Sequence, residues 1–414
     1  MDLEKLKKEY QNCPCGRAHE FTTKVIKCES GLVKRVGKEL KDADFPRKIL
    51  FMADENTLNA SSGILESLDG FSIKEQIYTD LRVADMRNVD DIRKKIQDVD
   101  GVLACGTGSL HDTARLACAR EDKPLCLFAT APSMDGFASN GAPITDGNFK
   151  STILAKCPEV VLADAEILAK SPAELKSAGF GDMIGKYVGL IDWAVSSLLS
   201  GEYWCDKVAG LTRQATDDIF ALCDRVTKED EETAGEIFNA LLKTGIGMSF
   251  TKTSRPASGT EHILSHFWEC KKLLDGEISD FHGKKVGVAT LLIMEEYEKL
   301  ASMKSVKAHR ESVDWEEVKN AYGELYPEVE KLNFPTNIVD GVTPESITEN
   351  WQKIRDIVKS VPSLSEIKDA MQRAGCALTT KDIAVSDELR EQGLIYHPYM
   401  RARLSLYRLR GMIY

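Results

Sequence analysis

Four short apolar runs, KILFMAD (48–54), GVLACGTG (101–108), PLCLFATAP (124–132) and VVLADAEIL (160–168), are separated by polar stretches with helix-compatible composition. Buried strands alternating with helices are the pattern of a mainly parallel sheet crossed by helices. Each run ends in Gly, Asp, Ser or Thr, small or polar types suited to the carboxyl ends of strands, where open α/β sheets bind ligands. The first half therefore predicts a Rossmann-like α/β domain.

Beyond Asp164 the spacing of apolar residues becomes helical, over residues 215–243, 284–302 and 315–331, with few β-branched runs. A length of 414 residues exceeds what one hydrophobic core usually serves, roughly 250–300 residues. Ser171 and Pro172 in SPAEL supply a cap and a proline at the first helical position, so the boundary is placed there. The expected plan is a dinucleotide-binding α/β domain over residues 1–170, with residues 1–23 as an N-terminal arm. An all-α domain over residues 171–414 follows, with a cleft between the two.

A formal charge of −11 and the lack of an aromatic-interleaved basic stripe exclude nucleic acid as a partner. The opening MDLEKLKKEYQNCPCG lacks the apolar core of a signal peptide, and no later run reaches bilayer length, which predicts a cytoplasmic protein without a membrane span. Eleven cysteines, an odd number scattered from Cys13 to Cys376, read as reduced thiols. Cys13, Cys15 and His19 form a C-x-C-x3-H cluster. A structural zinc site needs four ligands, however, and the next cysteine, Cys28, has no paired partner. The cluster is expected to sit on a loosely packed arm.

Gly106, Thr107, Gly108 and Ser109 follow a buried strand and open a helix. Glycines there let backbone approach a pyrophosphate, and the helix N-terminus offers free N–H groups. His111 stands where the dinucleotide fingerprint has its last glycine, so the turn alone is a weak signal. The next strand ends in TAPSMDGFASNGAP, where Thr130, Ser133, Asp135, Ser139 and Asn140 crowd hydrogen-bonding groups into eleven residues. Asp54, at the end of KILFMAD, is placed either to accept hydrogen bonds from a ribose or to cap the turn ahead of Asn56 and Thr57.

Histidine is scarce, seven in all, yet three fall between 262 and 282. In SGTEHILSHFWE, His262 and His266 are four apart and share one helical face. His282 in DFHGKKVG opens another apolar helical stretch, and GFGDMIGKYVG supplies Asp182, with Lys186 one turn on. One carboxylate and two imidazoles suit a catalytic divalent ion that keeps a position open for substrate.

GTGSLHDTAR, TAPSMDGFASNGAPI, AGFGDMIGKYVGLIDW, SRPASGTEHILSHFWE and FHGKKVG, in this order and spacing, resemble the motifs of the iron-dependent alcohol dehydrogenase and dehydroquinate synthase superfamily. Within it the chain is most similar to the sn-glycerol-1-phosphate dehydrogenase branch, including its bacterial members associated with arabinose operons. The resemblance runs over about residues 25–409, and the CPCG element lies outside it.

The resemblance implies Asp182, His262 and His282 as metal ligands, and His266 and Asp135 at the substrate. Gly106, Gly108, Ser109, Asp112, Thr130, Ser133 and Ser139 would surround NAD(H) or NADP(H). It implies one divalent metal ion, zinc with nickel or iron as alternatives, and a homodimer or higher oligomer. The expected reaction is reduction of dihydroxyacetone phosphate, with Arg255 and Lys186 as the nearest cations for its phosphate. Other expectations on the same scaffold are a glycerol or polyol dehydrogenase, a phosphonate-aldehyde reductase, a dehydroquinate synthase-like cyclase, and a non-catalytic ligand-binding relative.

Overall fold

The computed structural model describes residues 3–414. Six strands, β1 (Val25–Glu29), β2 (Lys48–Asp54), β3 (Ser72–Tyr78), β4 (Gly101–Gly106), β5 (Leu125–Ala129) and β8 (Val160–Asp164), form one parallel sheet in the order β1-β8-β5-β4-β2-β3. The four runs legible as strands are its centre, buried along nearly all their lengths. The two edges, β1 and β3, carry alternating polar residues because solvent reaches part of their surface. An antiparallel hairpin of β6 (Gly141–Asp146) and β7 (Phe149–Leu154) interrupts the pattern between β5 and β8.

From β2 the chain moves outward to β3 and then returns to place β4 on the other side of β2. The reversal opens a crevice beyond the carboxyl ends of β2 and β4, where open α/β sheets take nucleotides. Beyond β8 the described residues form only helices and turns, apart from an isolated bridge between Ala308 and Ile413. The helical segment expected over residues 215–243 is divided: one helix covers Asp206–Phe220 and another Glu231–Thr251. The acidic KEDEE stretch separates them, and Asp230 caps the second by accepting from the Glu232 N–H. Residues 315–331 divide likewise into Trp315–Tyr322 and Tyr326–Asn333, at Gly323 with φ 55°.

The N-terminal arm is packed. Its helix, Leu3–Gln11, buries Leu3 and Tyr10 in the same cluster as the helical half, and Tyr10 stacks on Phe250 with centroids 4.8 Å apart. Among the described residues no helix is long and apolar enough to cross a membrane.

Two helices organise the second half, Ala173–Ser200 and His282–Ser302. Glycine in a helix interior costs about 1 kcal/mol relative to alanine, so Gly179 and Gly181 need a packing reason, and Gly283, in the first turn of its helix, shares it. They have one: a Cβ at Gly179 would lie 1.8 Å from the Pro132 carbonyl oxygen, at Gly181 2.6 Å from that of Gly283, and at Gly283 1.9 Å from that of Ala178. The backbones meet without side chains between them, and Asp182 and His282, each next to one of these glycines, are brought together. Gly283→Ala should therefore force the helices apart, at a cost of roughly 1–3 kcal/mol. A thermal melt should show a lowered Tm and equilibrium dialysis a weakened divalent-metal affinity; an unchanged Tm and metal affinity would contradict this account.

Candidate active site

Between the carboxyl ends of β2, β4 and β5 and the helical half lies a cleft of about 880 Å³. The helix Gly108–Arg120 points its N-terminus at it, and Thr107, Gly108 and Ser109 line it. A Cβ on Gly108 would meet only Met134, at 3.7 Å. The protein itself leaves room for a side chain there, and a pyrophosphate lying against the backbone would account for its absence. Thr130, Ser133, Asp112 and Asp135 also line the cleft.

Asp54 caps the turn and also lines the cleft. Its carboxylate accepts from the Thr57 N–H at 2.8 Å in a capping box, and it faces the cleft at the end of β2. Ser139, in contrast, is not among the cleft-lining residues. It is buried at the start of β6, where its hydroxyl accepts from the Gly141 N–H at 2.9 Å. Gly106 is likewise not a lining residue; it closes β4, and its carbonyl accepts from the Thr130 N–H. Burial lifts the Asp112 carboxyl to about 6, against the pull of Arg115 2.7 Å away, and Arg115 in turn ties down the loop through the Gly136 carbonyl. His111 is a core residue, edge-on to Phe137 and pushed down to about 3 by burial.

One ligand atom from each of Asp182, His262 and His282 lies within 4.8 Å of the others; His282 lines the cleft, whereas Asp182 and His262 are buried beside it and are not lining residues. Asp182 and Lys186, four apart on one helix, are fully buried, with Nζ 2.6 Å from Oδ1 and 2.7 Å from Asp135 Oδ2. The Asp135 backbone N–H donates to the other Asp182 oxygen at 3.0 Å, which fixes the carboxylate in plane. Burial alone would raise the Asp182 carboxyl; the Lys186 ammonium and the His262 ring reverse this and hold it far below the usual range. Asp135 is raised by burial and by the neighbouring Asp182 charge.

His262 Nδ1 lies 2.5 Å from Glu261 Oε1, so it carries a proton and donates. Its Nε2 faces Asp182 Oδ1 at 3.4 Å. Against burial and the Lys186 charge, the Asp182 and Glu261 carboxylates favour the protonated ring, and a divalent ion between Nε2 and Oδ1 would take the place of that proton. His282, 5.2 Å from His262 ring to ring, is held down to about 3 by burial, and its buried Nδ1 has no hydrogen-bond partner. An imidazole kept neutral is in the state a metal requires. The donor set thus fits a divalent cation. His266 stacks 5.7 Å from His282, with an unpartnered buried Nε2 and Nδ1 3.4 Å from Arg401.

Neither cation suggested for a substrate phosphate is free. Arg255 is spent on Glu202, at 2.8 and 2.6 Å, and on Ser196, and it does not line the cleft; Lys186 is enclosed by two carboxylates. Two lysines overlooked in the sequence do line it. Lys150, from β7, and Lys285 each lie 2.8 Å from Glu269, leaving the trio with one net positive charge. Lys285 follows His282 by three residues and Glu269 follows His266 by three, a helical-face signal that was available; Lys150, on a hairpin, gave none.

Residues 27–172 match the family described as iron-containing alcohol dehydrogenase. The chain is 30% identical over 404 residues to a glycerol-1-phosphate dehydrogenase [NAD(P)+] of Geobacillus stearothermophilus, covering 95% of this chain and 93% of that protein. A protein of the same name from Methanothermobacter thermautotrophicus is 28% identical, over 77% of this chain and 85% of its own. Among solved structures, sulfoacetaldehyde reductase from Bifidobacterium kashiwanohense in complex with NAD+ superposes with a TM-score of 0.63 at 13% identity, over 96% of this chain and 97% of that one. That likeness shows the shared fold, an α/β domain followed by a helical half. The near-full-length identity with the curated relatives goes further: the chain belongs to the glycerol-1-phosphate dehydrogenases, within the iron-containing alcohol dehydrogenase family.

Proposed function

We propose that this protein reduces dihydroxyacetone phosphate to sn-glycerol 1-phosphate with NADH or NADPH, using one divalent metal ion held by Asp182, His262 and His282. The observation that carries this reading is the convergence of those three side chains, of which His282 lines the cleft that the Thr107–Ser109 turn also lines. Zinc is the ion assigned, since three mixed nitrogen and oxygen ligands with an open fourth position are its usual catalytic arrangement; nickel and iron fit the same donors. When bound, the ion supplies a Lewis acid for a ketone oxygen and the nicotinamide supplies hydride.

The chain's own groups prepare the site for that chemistry. Lys186 neutralises part of the charge of Asp182 and Asp135, which lets two carboxylates persist side by side in a buried place. Asp135, lining the cleft beside the ligands, is positioned to accept a substrate hydroxyl. Lys150 and Lys285 are assigned the phosphate end, because both line the cleft, their charges are felt at His282, and Glu269 cancels only one of them. His266, neutral through burial and the nearby Lys150 and Arg401 charges, presents an unpartnered nitrogen that can exchange a proton with substrate or water.

The reading is tested by following nicotinamide absorbance in a metal-loaded preparation offered dihydroxyacetone phosphate and, separately, dihydroxyacetone. Net oxidation of NADH or NADPH with the phosphorylated ketone is expected, and its absence would overturn the proposal; a cyclase would turn over with no net change. In His282→Ala, metal bound at this site should be lost, and kcat/KM should fall by roughly 10³-fold or more, the equivalent of several kcal/mol of Lewis-acid stabilisation. Full activity in that variant with no metal would refute the ligand set. Lys150→Met should raise KM for dihydroxyacetone phosphate by roughly 10- to 100-fold, the value of a charge-assisted hydrogen bond, with little change for dihydroxyacetone. Equal losses on both substrates would remove Lys150 from the phosphate site.

A further inference from the structure

The CPCG element that the active site does not use has a fourth partner. Ligand atoms of Cys13, Cys15, His19 and Cys205 all lie within 4.8 Å of one another. Cys205 ends the connection after the Ala173–Ser200 helix and caps the Asp206–Phe220 helix, so it comes from a segment 186 residues beyond His19. Its sulfur is 3.5 Å from that of Cys13 and 3.4 Å from His19 Nε2, and Cys15 Sγ is 3.3 Å from the same nitrogen. A disulfide needs about 2.05 Å between sulfurs, and all of these cysteines are free. Around a tetrahedral zinc, with bonds of about 2.3 Å to sulfur and 2.0 Å to nitrogen, neighbouring ligand atoms stand roughly 3.5–3.8 Å apart. The observed separations are close to those edges.

The surroundings are those of a ligand set. His19 Nδ1 is 3.1 Å from the Phe250 carbonyl oxygen, which can only accept, so Nδ1 carries the proton and the Nε2 lone pair is left facing the three sulfurs. The Tyr203 hydroxyl lies 3.2 Å from Cys15 Sγ, where it can donate to a thiolate, and the Arg17 guanidinium covers the Tyr203 ring at 3.5 Å. Gly16, with φ 81°, makes the sharp turn between Cys15 and the chain leading to His19, and its N–H donates to the Cys13 carbonyl. Cys13, His19 and Cys205 are buried and Cys15 is partly buried.

We propose that Cys13, Cys15, His19 and Cys205 form a second metal site, a closed Cys3His zinc site that fastens the N-terminal arm to the helical half. Three thiolates and an imidazole in tetrahedral array favour zinc, and four protein ligands leave no position for substrate, so its role is structural. It shares no ligand with the Asp182, His262 and His282 group.

The test is to purify the full chain under reducing conditions, measure metal per chain, and replace the metal with cobalt(II). The active-site set has no sulfur, so a thiolate-to-cobalt charge-transfer absorption belongs to the arm site alone. Wild type should carry two metal equivalents and show that absorption. Cys205→Ser should lose one equivalent and the absorption together, whereas His282→Ala should lose one equivalent and keep the absorption. Lack of the charge-transfer absorption in cobalt-loaded wild type, or an unchanged metal content in Cys205→Ser, would overturn the proposal. If Cys205→Ser does not fold, the wild-type and His282→Ala spectra decide the question by themselves.

Discussion

The backbone contact between the helices Ala173–Ser200 and His282–Ser302 is the constraint on which the candidate site depends. Gly181 and Gly283 leave the facing carbonyl oxygens no room for even one methyl group, and the neighbouring Asp182 and His282 are carried into the same small volume. Gly179 presses the same helix against Pro132, which sets the loop bearing Asp135 beside them and lets its N–H reach the Asp182 carboxylate. Close packing thus does here what a flexible loop could not: it holds the Asp182 carboxylate and its neighbours in register.

Electrostatics complete what the packing begins. A buried pair of carboxylates would exchange charge for protons, yet Lys186, itself fully buried, sits within ion-pair distance of both. On the opposite side the histidines are sorted by their partners. His262 has a carboxylate on its Nδ1, whereas His266 and His282 have burial and cationic neighbours that keep them neutral. The groups around Asp135 and Asp182 therefore keep a net negative charge that a divalent cation would offset, while Lys150 and Lys285 leave a net positive charge across Glu269.

The central strands, the Gly-rich turn and the helical character of the second half were legible because each is written in local periodicity: continuous apolar runs, a small-residue turn at a strand end, and apolar spacing at three and four. The edge strands β1 and β3 and the β6–β7 hairpin were not, since their half-exposed residues carry mixed patterns. Of the site, the i, i+4 histidines and the aspartate among glycines stood out by composition. Arg255 drew notice by nearness along the chain to the metal motifs, and the fold turns it to Glu202 instead.

The sequence by itself determined the α/β-then-helical order and singled out the aspartate and histidines that lie together in the structure, because those follow from short-range spacing and residue chemistry. Only the tertiary structure decided which distant groups meet: Lys150 with Lys285 across Glu269, and Cys205 with the CPCG turn and His19. Such pairings join segments more than a hundred residues apart, where helix crossing and loop path, which no local pattern encodes, set the distance between side chains.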